Sequence, residues 1–175
     1  VIPADADQCC KAIRKSMEFQ GPMIIRIDRG GSPNVYADPN YDYEFGKAIE
    51  TVAGDDMAII SAGSSVYWSM MGAKVLKDKH GINARVIDMH TLHPLDDEAV
   101  LAAAGTGRIV TIEEHSVNGG LGAAVARLTA THTPVPMRTL ALPDENPVAG
   151  ASPAVFRHSG LVVVGISRAP HDWLA

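Results

Sequence analysis

Apolar residues along the chain alternate between short strand-like runs and patterns with helical spacing. The strand-like runs lie at 45–52, 57–62, 84–89, 109–112 and 134–142. Between them, helical spacing covers 65–79, 97–104 and the residues after 120. Strands that alternate with helices predict an α/β fold, a three-layer sandwich with a mostly parallel sheet. The first two runs, joined by the tight turn Ala53–Asp56, predict a hairpin that supplies one antiparallel edge strand.

The stretch from Arg108 to Arg127 organises this pattern. Its apolar strand ends in a polar turn, 113–116, and a glycine cluster then opens a helix. Glycine lets the backbone turn sharply or approach another backbone closely. The spacing GGLG matches neither of the common phosphate-binding glycine motifs, so the cluster favours packing over a nucleotide site. The carboxylates of Glu113 and Glu114 are interpreted as capping or interface groups, with a general base as the alternative.

The two ends of the chain differ from the middle. Pro3–Phe19 predicts an amphipathic helix, and Met23–Ile27 is a strand-type run. A lone helix and strand cannot bury themselves, so we expect residues 1–30 to be the last helix and strand of a preceding domain. Residues 31–42, rich in Gly, Pro, Asn and Asp, predict a linker, and 43–175 a second domain. The first residues, VIPAD, lack Met and indicate a piece of something longer.

The tail gives two conflicting signals. Leu161–Ile166 is strand-like by residue propensity. Pro153–His158, just before it, has the pattern of a short helix with Ser152 as its cap.

Composition narrows the class of protein. With 46% hydrophobic residues, 175 residues can form a full core. A net charge of −5 with scattered lysines and arginines argues against nucleic acid or an anionic membrane as partner. No apolar run approaches a membrane span, and no signal peptide pattern begins the chain. The adjacent Cys9 and Cys10 cannot form a disulfide that stabilises the fold. This cysteine usage indicates a reducing compartment and predicts a cytoplasmic protein.

Two sets of polar residues invite a binding hypothesis. His90, His93 and His115 follow strand ends, but their spacing and the lack of a nearby Cys favour solvated or structural histidines over zinc. Arg26 and Arg29 lead into a Gly-Gly loop, where an arginine suits bidentate capture of a phosphate or carboxylate. A pair of surface arginines is the alternative.

Five segments, in order and spacing, resemble the C-terminal portion of transketolase-family proteins. They are GPMIIRIDR, DYEFGKAIETVAGDDMAIISAG, ARVIDMHTLHPLD, IVTIEEHSVNGGLGAAVA and ALPDE. The resemblance covers essentially the whole chain and is strongest to the C-terminal section of a split, two-subunit type. It implies that SPAVFRHSGL and VVGISRAPHDWL are helices, despite their valines. The family's usual DEF-x-x-SG loop reads DENPVAGAS here, which is a departure from the pattern.

The resemblance also implies a reaction, the thiamine-diphosphate-dependent transfer of a two-carbon ketol unit between sugar phosphates, as in pentose phosphate metabolism. Family members bind the cofactor's diphosphate and Mg²⁺ on an N-terminal domain and its pyrimidine ring on a middle domain. Residues 1–30 then correspond to the end of a truncated pyrimidine-binding domain, and the fragment alone is expected to bind no cofactor and to be inactive. An arginine seven residues after the family's Gly-Pro pair helps bind substrate phosphate, and Gly21-Pro22 puts Arg29 at that position.

Family members are dimers whose active sites lie between subunits, so the resemblance implies a homodimer completed by the missing N-terminal and middle domains. The residues expected at the subunit interface are Glu113, Glu114, His115, Gly119, Gly120 and Gly122. Alternatives within the fold are the C-terminal part of a deoxyxylulose-phosphate synthase or of a 2-oxoacid dehydrogenase E1 β subunit. A non-catalytic assembly domain is an alternative of another class. The sequence determines neither the donor and acceptor sugars nor whether the missing domains share this polypeptide.

Overall fold

The structure, a computed structural model that describes residues 1–145 and 149–168, is built on a five-stranded sheet. The strands are β1 (Ile49–Val52), β2 (Met57–Ser61), β3 (Ala84–Asp88), β4 (Ile109–Ser116) and β5 (Met137–Leu142). Their order is β1-β3-β2-β4-β5, and all neighbours are parallel except β1 and β3. The prediction of a mostly parallel sheet with one antiparallel edge strand is confirmed.

Helices cover both faces of this sheet. They are α1 (Ala6–Ser16), α2 (Ser65–His80), α3 (Asp97–Ala104), α4 (Leu121–His132), α5 (Ser152–His158) and α6 (Val163–Arg168). Alternate residues of β2 point to opposite faces, so Ile60 packs with α3 and α4 whereas Ile59 packs with α2 and α6. All five residues of β2 are buried, as a central strand between two helical layers requires. The three-layer sandwich is confirmed.

The predicted hairpin between β1 and β2 is wrong, because β1 pairs with β3 instead. The connection between β1 and β2 crosses the amino end of β3. It does so at Gly54, where an added Cβ would overlap the backbone of Asn83 and Ala84. The strand beside β2 is the parallel β3, which the crossover through α2 connects to it. The half-exposed β1 lies at the edge, with its antiparallel direction as predicted.

Two further local predictions are wrong. Met23–Ile27 has no regular secondary structure, because a strand needs a neighbouring strand along its length, and within the described residues the backbone of this segment bonds only with Val1. The polar turn predicted at 113–116 is instead the second half of β4, whose pairing with β5 continues to Ser116. Intrachain hydrogen bonds to the polar side chains explain why this half of the strand is not apolar.

The described part of the tail contains two short helices. Residues 152–158 form α5 and 163–168 form α6, so tertiary packing overrides the β-propensity of the valines. Buried Ile166 packs against Gly72 of α2, where an added Cβ would lie 2.5 Å from its Cγ2. The rest of the second predicted tail helix, 169–175, and residues 146–148 of the DENPVAGAS loop lie outside the described residues.

Candidate functional site

The polar residues of interest gather at the carboxyl edge of the sheet. There β2, β3 and β4 end, and the first two residues of the chain join them. The Ile2 N–H donates to the His90 carbonyl at 2.7 Å, and the Ile2 carbonyl accepts from the Gly63 N–H at 3.2 Å. Ligands of open parallel sheets bind at this edge, because the loops after the strands can diverge there.

Glu113 and Glu114 are consecutive residues of β4, so their side chains point to opposite faces of the sheet. Glu113 is buried and caps α4, since its two carboxylate oxygens accept from the N–H groups of Leu121 (2.8 Å) and Gly122 (2.9 Å). A Cβ at Gly120 would overlap this carboxylate. Within this chain, Glu113 therefore caps the start of α4, and the lack of a side chain at Gly120 leaves room for the Glu113 carboxylate.

Glu114 caps α2 on the other face. Its carboxylate accepts from the N–H and hydroxyl groups of both Ser64 and Ser65, at 2.7–3.3 Å. Arg26 adds a charged pair to the same residue, with Nη2 at 3.2 Å from Oε1 and Nη1 donating to the Glu114 carbonyl at 2.9 Å. The capping interpretation of Glu113 and Glu114 thus agrees with their contacts.

The other predicted interface residues differ in their exposure to solvent. Gly122 is buried, and an added Cβ there would lie 2.6 Å from the side chain of Thr139 in this chain. His115 and Gly119 are exposed, as is the side chain of Val117 between them, at 40%. A partner subunit could reach these three residues, whereas Glu113, Gly120 and Gly122 are covered by their own chain.

Arg29 lies beside a cavity of about 450 Å³ between the amino end of α1 and residues 27–32. It is exposed, and within the described residues no group pairs with its guanidinium. The neighbouring carboxylates already accept hydrogen bonds, Asp5 from Gln8 and Val35, and Asp28 from Gly30. Arg29 is thus the lining residue with a charge still available for an anion.

A second polar cluster lies between α1, the segment 31–43 and the end of β3. The Asp88 carboxyl is fully buried, and its Oδ2 accepts from Gln8 Nε2 at 2.6 Å and from the Tyr36 hydroxyl. Its Oδ1 has no hydrogen-bond partner among the described residues. Burial raises the pKa of Asp88 to about 7, although both hydrogen bonds act in the opposite direction. Burial also raises the pKa of Tyr36, so the phenol remains a donor.

The histidines do not come together as a metal site. His90 is buried against the ring of Tyr43, its Nδ1 lies 2.9 Å from Thr91 Oγ1, and burial lowers its pKa to about 4. His93 and His115 are exposed. No cluster of three or more histidine, cysteine or acidic residues with metal-binding geometry occurs in the part of the chain that the structure describes.

Among the residues that the structure describes, the acidic sequence GDD does not fit the diphosphate and Mg²⁺ of a thiamine cofactor. The GDD sequence at 54–56 lies in the connection from β1 to β2, at the opposite edge of the sheet from Arg29. Its carboxylates have structural partners, since Asp56 accepts from the Asn83 N–H at 2.7 Å and Asp55 lies 3.4 Å from Arg85.

None of the described helices combines the length and apolar character needed to cross a bilayer.

The sequence reasoning missed the Asp88 cluster and the role of Arg26. An acidic residue at the end of the apolar run ARVI was the available signal, because a buried strand rarely ends in an unpaired carboxylate. The tyrosines were a second signal, with Tyr36 and Tyr41 inside the predicted linker 31–42 and Tyr43 directly after it. Tyr36 and Tyr41 stack with their ring centroids 3.9 Å apart.

Comparison with known proteins agrees with this architecture. The family model for the C-terminal domain of transketolases matches residues 46–166. Among solved structures, a split-gene transketolase described as an inactive β4 tetramer has a TM-score of 0.90 and 36% identity; the match covers 98% of this chain and 56% of that one.

Two curated relatives extend the comparison. One is a subunit of the apulose-4-phosphate transketolase of Phocaeicola vulgatus, which is 42% identical over 169 residues, or 96% of this chain and 54% of the relative. The 1-deoxy-D-xylulose-5-phosphate synthase 1 of Geobacter sulfurreducens is 33% identical across this whole chain but only 28% of its own length. This chain thus spans about half the length of its transketolase relative, or less for the synthase. The chain belongs to the transketolase family and contains the C-terminal domain of that family.

Proposed function

We propose that this chain is the C-terminal part of a thiamine-diphosphate-dependent transketolase, which transfers a two-carbon ketol unit between sugar phosphates. The observation that carries the proposal is Arg29, which has no partner in the described part of the chain and lies beside an open cavity in a chain of this family. The Phocaeicola vulgatus relative is part of an apulose-4-phosphate transketolase. A guanidinium with no partner among the described residues suits the phosphate of such a sugar, because it can donate two parallel hydrogen bonds to it.

In this proposal the cofactor and its Mg²⁺ are bound by domains outside this chain. Residues 1–30 form the end of the pyrimidine-binding domain, 31–42 link it to the C-terminal domain, and that domain begins near residue 43. Four of the exposed large apolar side chains lie within residues 13–24, where a missing domain would cover them: Ile13, Met17, Phe19 and Ile24. The chain's own contribution is to hold Arg29 at the substrate's phosphate end and to support assembly.

The complete enzyme is proposed to be a cytoplasmic homodimer whose interface includes the exposed end of β4. His115 and Gly119 lie there, with Val117 as the apolar residue between them. Because Glu113 and Gly120 are engaged within this chain, they would shape the interface indirectly by fixing the start of α4.

The second candidate is the synthase reaction, favoured by the 33% identity to the Geobacter sulfurreducens synthase across the whole chain. That candidate also uses a phosphorylated substrate, so it makes the same demand on Arg29. Assays of the complete enzyme with a ketose-phosphate donor and with pyruvate as alternative donors would separate the two reactions.

The test of the phosphate site is Arg29→Ala in the complete enzyme. Loss of a charge-assisted pair worth about 1.5–3 kcal/mol should raise KM for phosphorylated sugars by roughly 10-fold or more. The affinity for thiamine diphosphate should barely change. Arg127→Ala, which removes an exposed arginine from α4, is the matched control. Equal KM values for wild type and Arg29→Ala would remove Arg29 from the site.

A further inference from the structure

Arg26 connects the segment that carries Arg29 to the carboxyl end of β4. Its two terminal nitrogens contact one residue, Glu114, at the carbonyl oxygen (2.9 Å) and at the carboxylate (3.2 Å). Its backbone N–H donates to the Val1 carbonyl at 2.9 Å. A planar guanidinium that makes two contacts with one residue has a fixed orientation as well as a fixed position.

The acceptor in this pair is held in place by the sheet and by α2. The Glu114 carboxylate accepts from both Ser64 and Ser65 at the start of α2, and only 13% of its side chain is exposed. Gly63 has a φ of +65°, and an added Cβ there would overlap the Glu114 carboxylate and lie 2.8 Å from Ile2. The junction is therefore tightly packed around a carboxylate held by several hydrogen bonds.

The segment around Arg29 is not fixed by regular secondary structure. Residues 22–28 form neither helix nor strand, and Ile24 and Ile27 are 83% and 59% exposed. Arg29 has no partner within the described residues. Arg29 follows Arg26 by three residues, which span at most about 10 Å. A displacement at Arg26 therefore also displaces Arg29.

We infer that Arg26, through its pair with Glu114, is a positioning residue that places the Arg29 guanidinium for the substrate's phosphate. This inference rests on the proposed function of Arg29. It assigns Arg26 no contact with substrate. A cation placed about 1 Å from its productive position loses much of its effect, because charge-assisted hydrogen bonds depend steeply on geometry.

The experiment is a double-mutant cycle in the complete enzyme with Arg26→Ala, Arg29→Ala and the double variant. We expect Arg26→Ala to raise KM for phosphorylated sugars by roughly 3- to 10-fold and to leave KM for a non-phosphorylated ketol donor within about twofold. If Arg26 acts through Arg29, the double variant should match Arg29→Ala rather than the product of the two effects. Arg26→Lys, which keeps the charge but not the fork, should give an intermediate KM and serves if Arg26→Ala does not fold.

The matched control is Arg85→Ala, which removes an arginine paired with Glu50 and Asp55 at the opposite edge of the sheet. It should leave both KM values unchanged. Independent, multiplicative effects of Arg26→Ala and Arg29→Ala would overturn the inference, as would an equal rise of KM for phosphorylated and non-phosphorylated substrates. An effect of Arg29→Ala without any effect of Arg26→Ala would overturn this inference alone. No effect of Arg29→Ala would overturn the proposed phosphate site together with it.

Discussion

Asp88→Asn should make the stability of this protein less dependent on pH. In the wild type, both hydrogen bonds go to Oδ2, from Gln8 and Tyr36, whereas Oδ1 is buried with no partner in the part of the chain that the structure describes. A proton on Oδ1 would neutralise the group and leave both accepted bonds intact. Asparagine reproduces this neutral form, because its carbonyl oxygen can take the place of Oδ2 and its amide group the place of Oδ1.

The direction of the pH effect follows from the raised pKa of Asp88. The folded protein binds this proton more tightly than the unfolded chain, so the contribution to stability is complete below the unfolded pKa and is lost as pH rises through the folded one. A rise from 3.8 to about 7 corresponds to at most ~4 kcal/mol. Roughly 3 kcal/mol of this should be lost between about pH 5 and pH 8.

Urea unfolding of the complete protein at several pH values in this range measures the effect. The unfolding free energy of Asp88→Asn, relative to wild type, should rise with pH by up to about 3 kcal/mol. Asp78→Asn, which removes an exposed carboxylate paired with Lys74, corrects for the loss of one acidic group. Parallel curves for wild type and Asp88→Asn would refute the reasoning, because they would show that Asp88 stays ionised when folded.

Three other predictions concern the cap, the interface and the cofactor. Glu113→Gln should lower the unfolding free energy by about 1–2 kcal/mol, because the two N–H groups at the start of α4 lose a charged acceptor, whereas the exposed Glu98→Gln should have little effect in the same urea titration. Val117→Asp in the complete enzyme should weaken dimerisation in a concentration-dependent way by sedimentation, and Ala130→Asp near the other end of α4 should not; a fully dimeric Val117→Asp would contradict the interface. The 175-residue chain alone should not bind thiamine diphosphate with Mg²⁺ by calorimetry, and micromolar binding would contradict the assignment of the cofactor site to other domains.

Much of the fold could be predicted from the sequence because the relevant signals are local. The start of α3 was predictable from Asp96, whose side chain accepts from the Ala99 N–H, and the end of α2 from Gly81, which has a φ of +70°. The pairing of β1 was not predictable in this way. Whether β1 lies beside β2 or β3 depends on a crossing at Gly54 that involves residues about thirty positions apart.

The site was harder to predict than the fold, because its residues are remote in sequence. Gln8, Tyr36 and Asp88 come from three segments, and each is an ordinary polar residue in its own context. The sequence identified the glycines as positions of close approach, but it did not identify the residues that approach them. At Gly120 and Gly122 the neighbours in the structure are Glu113 and Thr139 of the same chain, and the predicted contact with a partner subunit stays a prediction. Whether the neighbour of a glycine belongs to the same chain or to a partner subunit depends on tertiary distances alone.

The two glutamates of β4 also fix the register of the strand in a way that its apolar residues alone do not. Shifting β4 by one residue would exchange the faces of Glu113 and Glu114, so that neither carboxylate would reach the helix it now caps. The N–H groups at the starts of α2 and α4 would lose their acceptors, and Arg26 would lose its pair. Polar residues within a buried strand therefore act here as a constraint on register. Since Arg26 contacts the same strand, the position of Arg29 relative to the sheet depends on that register as well.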